Sequence, residues 1–79
     1  RKPLTLKEQQ ELIISSFPGV GSETSKLLLT NFKSIKNIIN ATEKELKEVD
    51  NIGPKKASKI FKLIQELYED QDMHMDLHP

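Results

Sequence analysis

Five stretches of the chain space their apolar residues at helical intervals, and no run alternates apolar and polar residues for long enough to make a strand. Thr5 and Glu8 stand at capping-box spacing, so the first helix is predicted to start near Leu6. Leu6, Ile13, Ile14 and Phe17 share one face of it with Leu12 alongside, and Pro18 and Gly19 end it. Ser22 is a good N-cap for a second helix carrying Leu28, Leu29 and Phe32. A short third helix over 34–40 places Ile35, Ile38 and Ile39 inward. Thr42 and Glu45 repeat the capping box ahead of a fourth helix with Leu46 and Val49. Pro54 suits the first turn of a fifth, where its missing N–H costs nothing. The period is clearest there, through Ala57, Ile60, Phe61, Ile64, Leu67 and Tyr68. The pattern predicts an all-α, five-helix domain.

A shift of 32 residues aligns the two halves. Phe17, Val20, Gly21, Ser25, Leu28, Leu29 and Phe32 fall on Val49, Ile52, Gly53, Ala57, Ile60, Phe61 and Ile64, and Ile14 falls on Leu46. Turn, glycine and core face match together, so the unit is helix, five-residue turn, helix, used twice. Neither unit can bury its apolar face alone, so the two are expected to share one core.

Composition limits what such a domain can do. With 79 residues it is one small domain, and without cysteine it has neither disulfides nor thiolate metal ligands. No stretch approaches the roughly 20 apolar residues of a membrane span, and there is no signal peptide, which points to an intracellular setting. A start at Arg1 rather than Met suggests a fragment of something longer. The formal net charge of zero hides an arrangement: residues 66–79 hold five acidic side chains and no Lys or Arg. The rest carries all twelve basic side chains against seven acidic ones, four of the lysines lying between Lys55 and Lys62. Residues 1–4 read as a lead-in, 5–69 as the domain and 70–79 as a disordered acidic tail. His74 and His78, near Asp72 and Asp76, have metal-ligand types but no helical scaffold to orient them, so no metal is expected.

The repeated turn is the candidate site. Gly19 and Gly21 flank Val20, while Asn51 and Gly53 flank Ile52. Glycine reaches positive φ without strain, and Asn is among the residues that best tolerate it. The apolar middle residue is expected to plug into the core, aiming the free N–H groups of the turn and helix start outward at a positive dipole end that suits a phosphate. A glycine at a helical corner can also merely turn the chain. Two copies, each followed by lysine (Lys26; Lys55, Lys56 and Lys59), favour the binding reading.

"FPGVGSETSKLLL" and "VDNIGPKKASKIF" resemble the two hairpins of a tandem helix-hairpin-helix domain, and "NFKSIKNIINATEKELKEV" resembles the segment joining them. The lead-in "LTLKEQQELIISSFPGVG" most resembles the C-terminal domain of XPF/Hef structure-specific DNA repair endonucleases, with the C-terminal domain of UvrC a close second. The resemblance implies binding without sequence preference across the minor groove, with hairpin N–H groups on phosphates. It implies forks, flaps or other branched DNA as targets, and dimerisation with itself or a related domain. Carried over by position, the phosphate-facing residues are Gly19, Val20, Gly21, Asn51, Ile52 and Gly53, helped by Lys55, Lys56, Lys59 and, more weakly, Lys26. Family hairpins can also hold a monovalent cation through turn carbonyls; no other cofactor is implied. Tyr68 sits where the XPF group places an aromatic ring that enters the partner, and Leu63 can add to that patch. The alternative for Tyr68 is that it covers the end of its own core. One departure stands out: Ser22 and Glu23 open the second helix where family members often carry lysine, and an acid there repels phosphate.

Catalysis by this chain is not expected. The domain has no histidine, no cysteine and no carboxylate cluster on one face, and the acidic and Glu-Arg-Lys pattern of the XPF nuclease is absent. A DNA-binding and dimerisation module of a repair nuclease or helicase is the favoured class. A protein-interaction domain with little DNA binding of its own is the alternative, kept open by the neutral charge and Glu23.

Overall fold

The computed structural model describes residues 2–69, and among them all regular structure is helical. The elements are α1 (Leu6–Ser15), α2 (Gly21–Phe32), α3 (Ile35–Ile39), α4 (Glu43–Lys47) and α5 (Gly53–Gln65). The expected acidic tail and its two histidines lie outside the described residues.

Both capping boxes form. The Thr5 hydroxyl accepts from the Glu8 amide while the Glu8 carboxylate accepts from the Thr5 amide, and Thr42 and Glu45 do the same. Ser34 caps α3 by accepting from the Asn37 amide, and the Asn37 carboxamide donates back to the Phe32 carbonyl at 2.7 Å, locking α3 against the end of α2. The chain enters α3 through Lys33, a left-handed residue at φ 77° that no sequence signal announced.

α1 packs on α2, α4 on α5, and α3 on α2. The core is shared between the units, as expected: Ile14, Val20, Leu28, Ile38, Ala41, Leu46, Val49, Ile52, Ala57 and Ile60 form one buried cluster. Repeat partners match in burial. Ile14 and Leu46, Ser25 and Ala57, and Leu28 and Ile60 are all fully buried, while Leu29, Phe32, Phe61 and Ile64 are half-buried around them. The buried Ser25 hydroxyl is satisfied by donating to the Ser22 carbonyl at 2.7 Å.

The two turns superimpose in conformation. Gly19 and Asn51 have φ of 71° and 73°, and Gly21 and Gly53 have 68° and 64°. Between them Val20 (φ −88°, ψ −63°) and Ile52 (φ −89°, ψ −59°) are both buried. The bonds repeat as well: the Val20 amide donates to Phe17 O and the Ile52 amide to Val49 O, each at 3.1 Å.

Four expectations are corrected. Ser22 is not the N-cap of α2, because Val20 takes that position when its amide closes the turn onto Phe17, and the helix begins at Gly21. In α1 the inward line runs through Ile14 with Gln10 and Glu11 half-buried beside it, and Phe17, also half-buried, lies past the end of the helix. At about 100° per residue, Ile13 and Leu6 stand roughly 80–100° to one side and Leu12 on the far side, so all three are exposed. Ile39 is exposed too, since so short a helix turns one position, Ile38, fully inward. Finally, α5 stops at Gln65, and Glu66 is extended (ψ 144°), which leaves Leu67 and Tyr68 outside the helix. Packing, more than period, sustains a helix, and the last core contact of α5 is Ile64.

Leu28→Ala removes a fully buried side chain and should cost about 2–5 kcal/mol in urea unfolding; a loss below about 1 kcal/mol would show that the core is not built as described. Asn51→Ala, at a left-handed φ of 73°, should destabilise by roughly 1–2 kcal/mol, whereas Asn51→Gly should be near neutral. Equal losses in the two variants would rule out the conformational role.

Candidate nucleic-acid interface

α1, α3 and α4 each begin on a Thr or Ser that accepts a first-turn amide; α2 and α5 have no side-chain cap. The first amides of a helix have no partner within it. The two helices that follow the repeated turns are therefore the two whose openings stay available to an outside acceptor. Among the described residues the amides of Gly19, Gly21, Asn51 and Gly53 make no hydrogen bond, and all but the half-buried Gly53 lie at exposed positions. An anion at either place would meet several N–H groups and the positive end of a helix of 12 or 13 residues. Val20 and Ile52, expected to face phosphate, do something else. Their side chains are buried and their amides are engaged within the turns, so they hold the shape while their neighbours present the donors.

The charges around the two openings differ. Glu23 is an exposed acid in the first turn of α2, and the first turn of α5 has none. Lys55 and Lys59 are exposed on α5. Lys56, expected to add its charge beside them, is half-buried, and its ammonium donates to the Asn51 carbonyl at 3.1 Å. Lys26 stands apart, in a shallow depression with Lys7 and Lys33 on the α1–α2 flank. Pro54 removes one amide from the opening of α5, so the second turn offers fewer donors with more positive charge.

Leu63 and Tyr68 are brought together. They line an open groove of about 650 Å³ with Leu67, Lys59, Lys62 and Pro18, the last belonging to the first turn. Tyr68 is 94% exposed, so it covers no part of its own core. Sequence reasoning missed the contribution of Pro18, because the contact depends on how α5 crosses the first turn. No group of three or more His, Cys, Asp or Glu suited to a metal occurs among the described residues. None of the helices among them is long and apolar enough to cross a membrane.

Comparison with known proteins gives one consistent result. The helix-hairpin-helix motif family model matches residues 12–72. A protein of Methanocaldococcus jannaschii, provisionally assigned as an ATP-dependent RNA helicase, is 39% identical over 66 residues, covering 84% of this chain and 8% of its own length. UvrABC system protein C of Prochlorococcus marinus is 40% identical over 70 residues, covering 89% of this chain and 10% of its own length. The solved structure of XPF from Aeropyrum pernix has a TM-score of 0.81 at 34% identity, over 87% of this chain and 34% of that one. XPF from the same organism in complex with DNA has a TM-score of 0.80 at 33% identity, over 85% of this chain and 34% of that one. The chain spans about a third of the XPF chain and no more than 10% of these curated relatives. It belongs to the helix-hairpin-helix family, as a tandem domain similar to parts of XPF and of UvrABC system protein C.

Proposed function

We propose that this domain binds branched or forked DNA without sequence preference, across the minor groove, through the amides of both turns. The observation that carries the reading is the repeat of one geometry: two uncapped helix openings, each preceded by a left-handed corner with an unbonded amide. Backbone N–H groups bind phosphate oxygens and carry no base information, which is the chemistry of sequence-independent recognition. The likeness to an XPF structure solved with DNA supports it. Lys55 and Lys59 add charge at the second turn while Glu23 opposes it at the first, so the second turn is the stronger. Amide contacts require no cofactor. A monovalent cation joining the second turn would share carbonyls of which Asn51's already accepts from Lys56.

Within the same reading, the groove holding Leu63 and Tyr68 receives a second domain, either another copy or a relative, and so places two tandem units on one branched substrate. The parent protein is then a structure-specific nuclease or helicase-nuclease acting on DNA inside the cell. The alternative, an interaction domain with little DNA affinity, draws on Glu23 at the first opening and on the neutral total charge.

Mapping amide chemical shifts during titration with a forked oligonucleotide should move Gly19, Gly21, Asn51 and Gly53; a response confined to other surfaces would refute the reading. Lys55→Ala should lower the log–log salt slope of binding by about one unit, and Lys26→Ala should change it less. Equal losses would show that the second turn does not dominate. Tyr68→Ala, at an exposed position, should stay folded and halve the mass seen by light scattering. An unchanged mass would remove Tyr68 from any dimer.

A further inference from the structure

Among the described residues Lys56 is the only lysine that is half-buried. Its ammonium reaches back to the carbonyl of Asn51, the corner of the second turn. Its stem lies over the corner of the first. A Cβ built on Gly19 would stand 3.4 Å from Cγ of Lys56 and 3.5 Å from Cδ and Cε. One side chain therefore reaches both corners, lying over the open side of Gly19 with its methylenes and bonding Asn51 with its charge.

The repeat makes this contact one-sided. Gly19 and Asn51 have φ of 71° and 73°, so the backbone alone would accept Asn at either corner. A Cβ at position 19 would sit in van der Waals contact with the lysine stem, while position 51 receives the lysine's ammonium on its carbonyl. The equivalent of Lys56 in the first unit is Thr24, too short to span between turns. The tie is thus built once, from the second unit to the first, and the glycine stands on the side the stem crosses.

We propose that Lys56 is a positioning residue that sets the separation of the two turns, so that they engage DNA as one bivalent surface, and that it is not itself a phosphate contact. Resting on the DNA-binding reading above, the inference adds a division of labour among the three lysines of the α5 opening. Two binding groups held at a matched distance gain affinity because the second contact becomes intramolecular, and slack between them forfeits that gain. A lysine that neutralises a phosphate instead shows itself through counterion release.

Three variants of the whole chain separate these roles. Lys56→Met retains an unbranched apolar stem and removes the ammonium; Lys56→Arg retains a donor; Lys55→Met serves as the phosphate-contact comparison. Each is titrated with a forked oligonucleotide over a range of salt, and amide shifts are recorded before DNA is added. Lys56→Met should weaken binding roughly tenfold with the salt slope unchanged, and Lys56→Arg should recover most of the loss. Lys55→Met should lower the slope by about one unit. In the free protein Lys56→Met should move the Gly19 and Asn51 amides together, and Lys55→Met should leave them in place. A slope loss in Lys56→Met equal to that of Lys55→Met, or unaltered affinity, overturns the proposal. If the wild-type chain binds no DNA, the functional reading fails by itself. The free-protein shifts still decide the tie, since an undisturbed Gly19 amide would refute it.

Discussion

Val20 and Ile52 must remain buried while the residue on each side holds a positive φ, and the rest of the structure depends on that constraint. Burying such a side chain contributes on the order of 1.5–3 kcal/mol, enough to hold a corner that an unplugged chain would leave mobile. The plug also decides which amides face outward. Its own amide turns in, onto Phe17 or Val49, and the amides beside it have no partner to turn toward. A turn that satisfied all its donors internally would be as good a corner and would bind nothing.

Because each unit buries its apolar face against the other, the two turns cannot vary independently. They share backbone conformation almost to the degree, yet their side chains have diverged. One opening carries an acid and a glycine corner, the other carries lysines, a proline and an asparagine corner. This is the pattern of a repeated scaffold whose geometry is held by the core while its surface charge is free to differ between the two turns. The groove from Pro18 to Tyr68 belongs to neither unit alone, being formed where α5 passes the first turn.

Much of the fold was legible because its signals are local or periodic. Thr5 with Glu8 and Thr42 with Glu45 announce helix starts, since a capping box closes within four residues. The 32-residue shift exposed the paired turns, and Asn51 standing for Gly19 betrayed the left-handed corner. The failures share a cause. Leu6, Leu12, Ile13 and Ile39 are apolar without being buried, and Leu67 and Tyr68 continue a period that the helix does not. Hydrophobic spacing marks which residues could face a neighbour, and only the neighbour's position settles which of them do.

The amino-acid sequence by itself determined the helical class, the two units, the corners and their plugs, because each follows from the conformational preferences of a few adjacent residues. Tertiary structure alone decided that Lys56 lies over Gly19 and that Pro18 shares a groove with Leu63 and Tyr68. These outcomes depend on the distance between segments far apart in the chain, which local preference does not encode and which one shared, close-packed core sets.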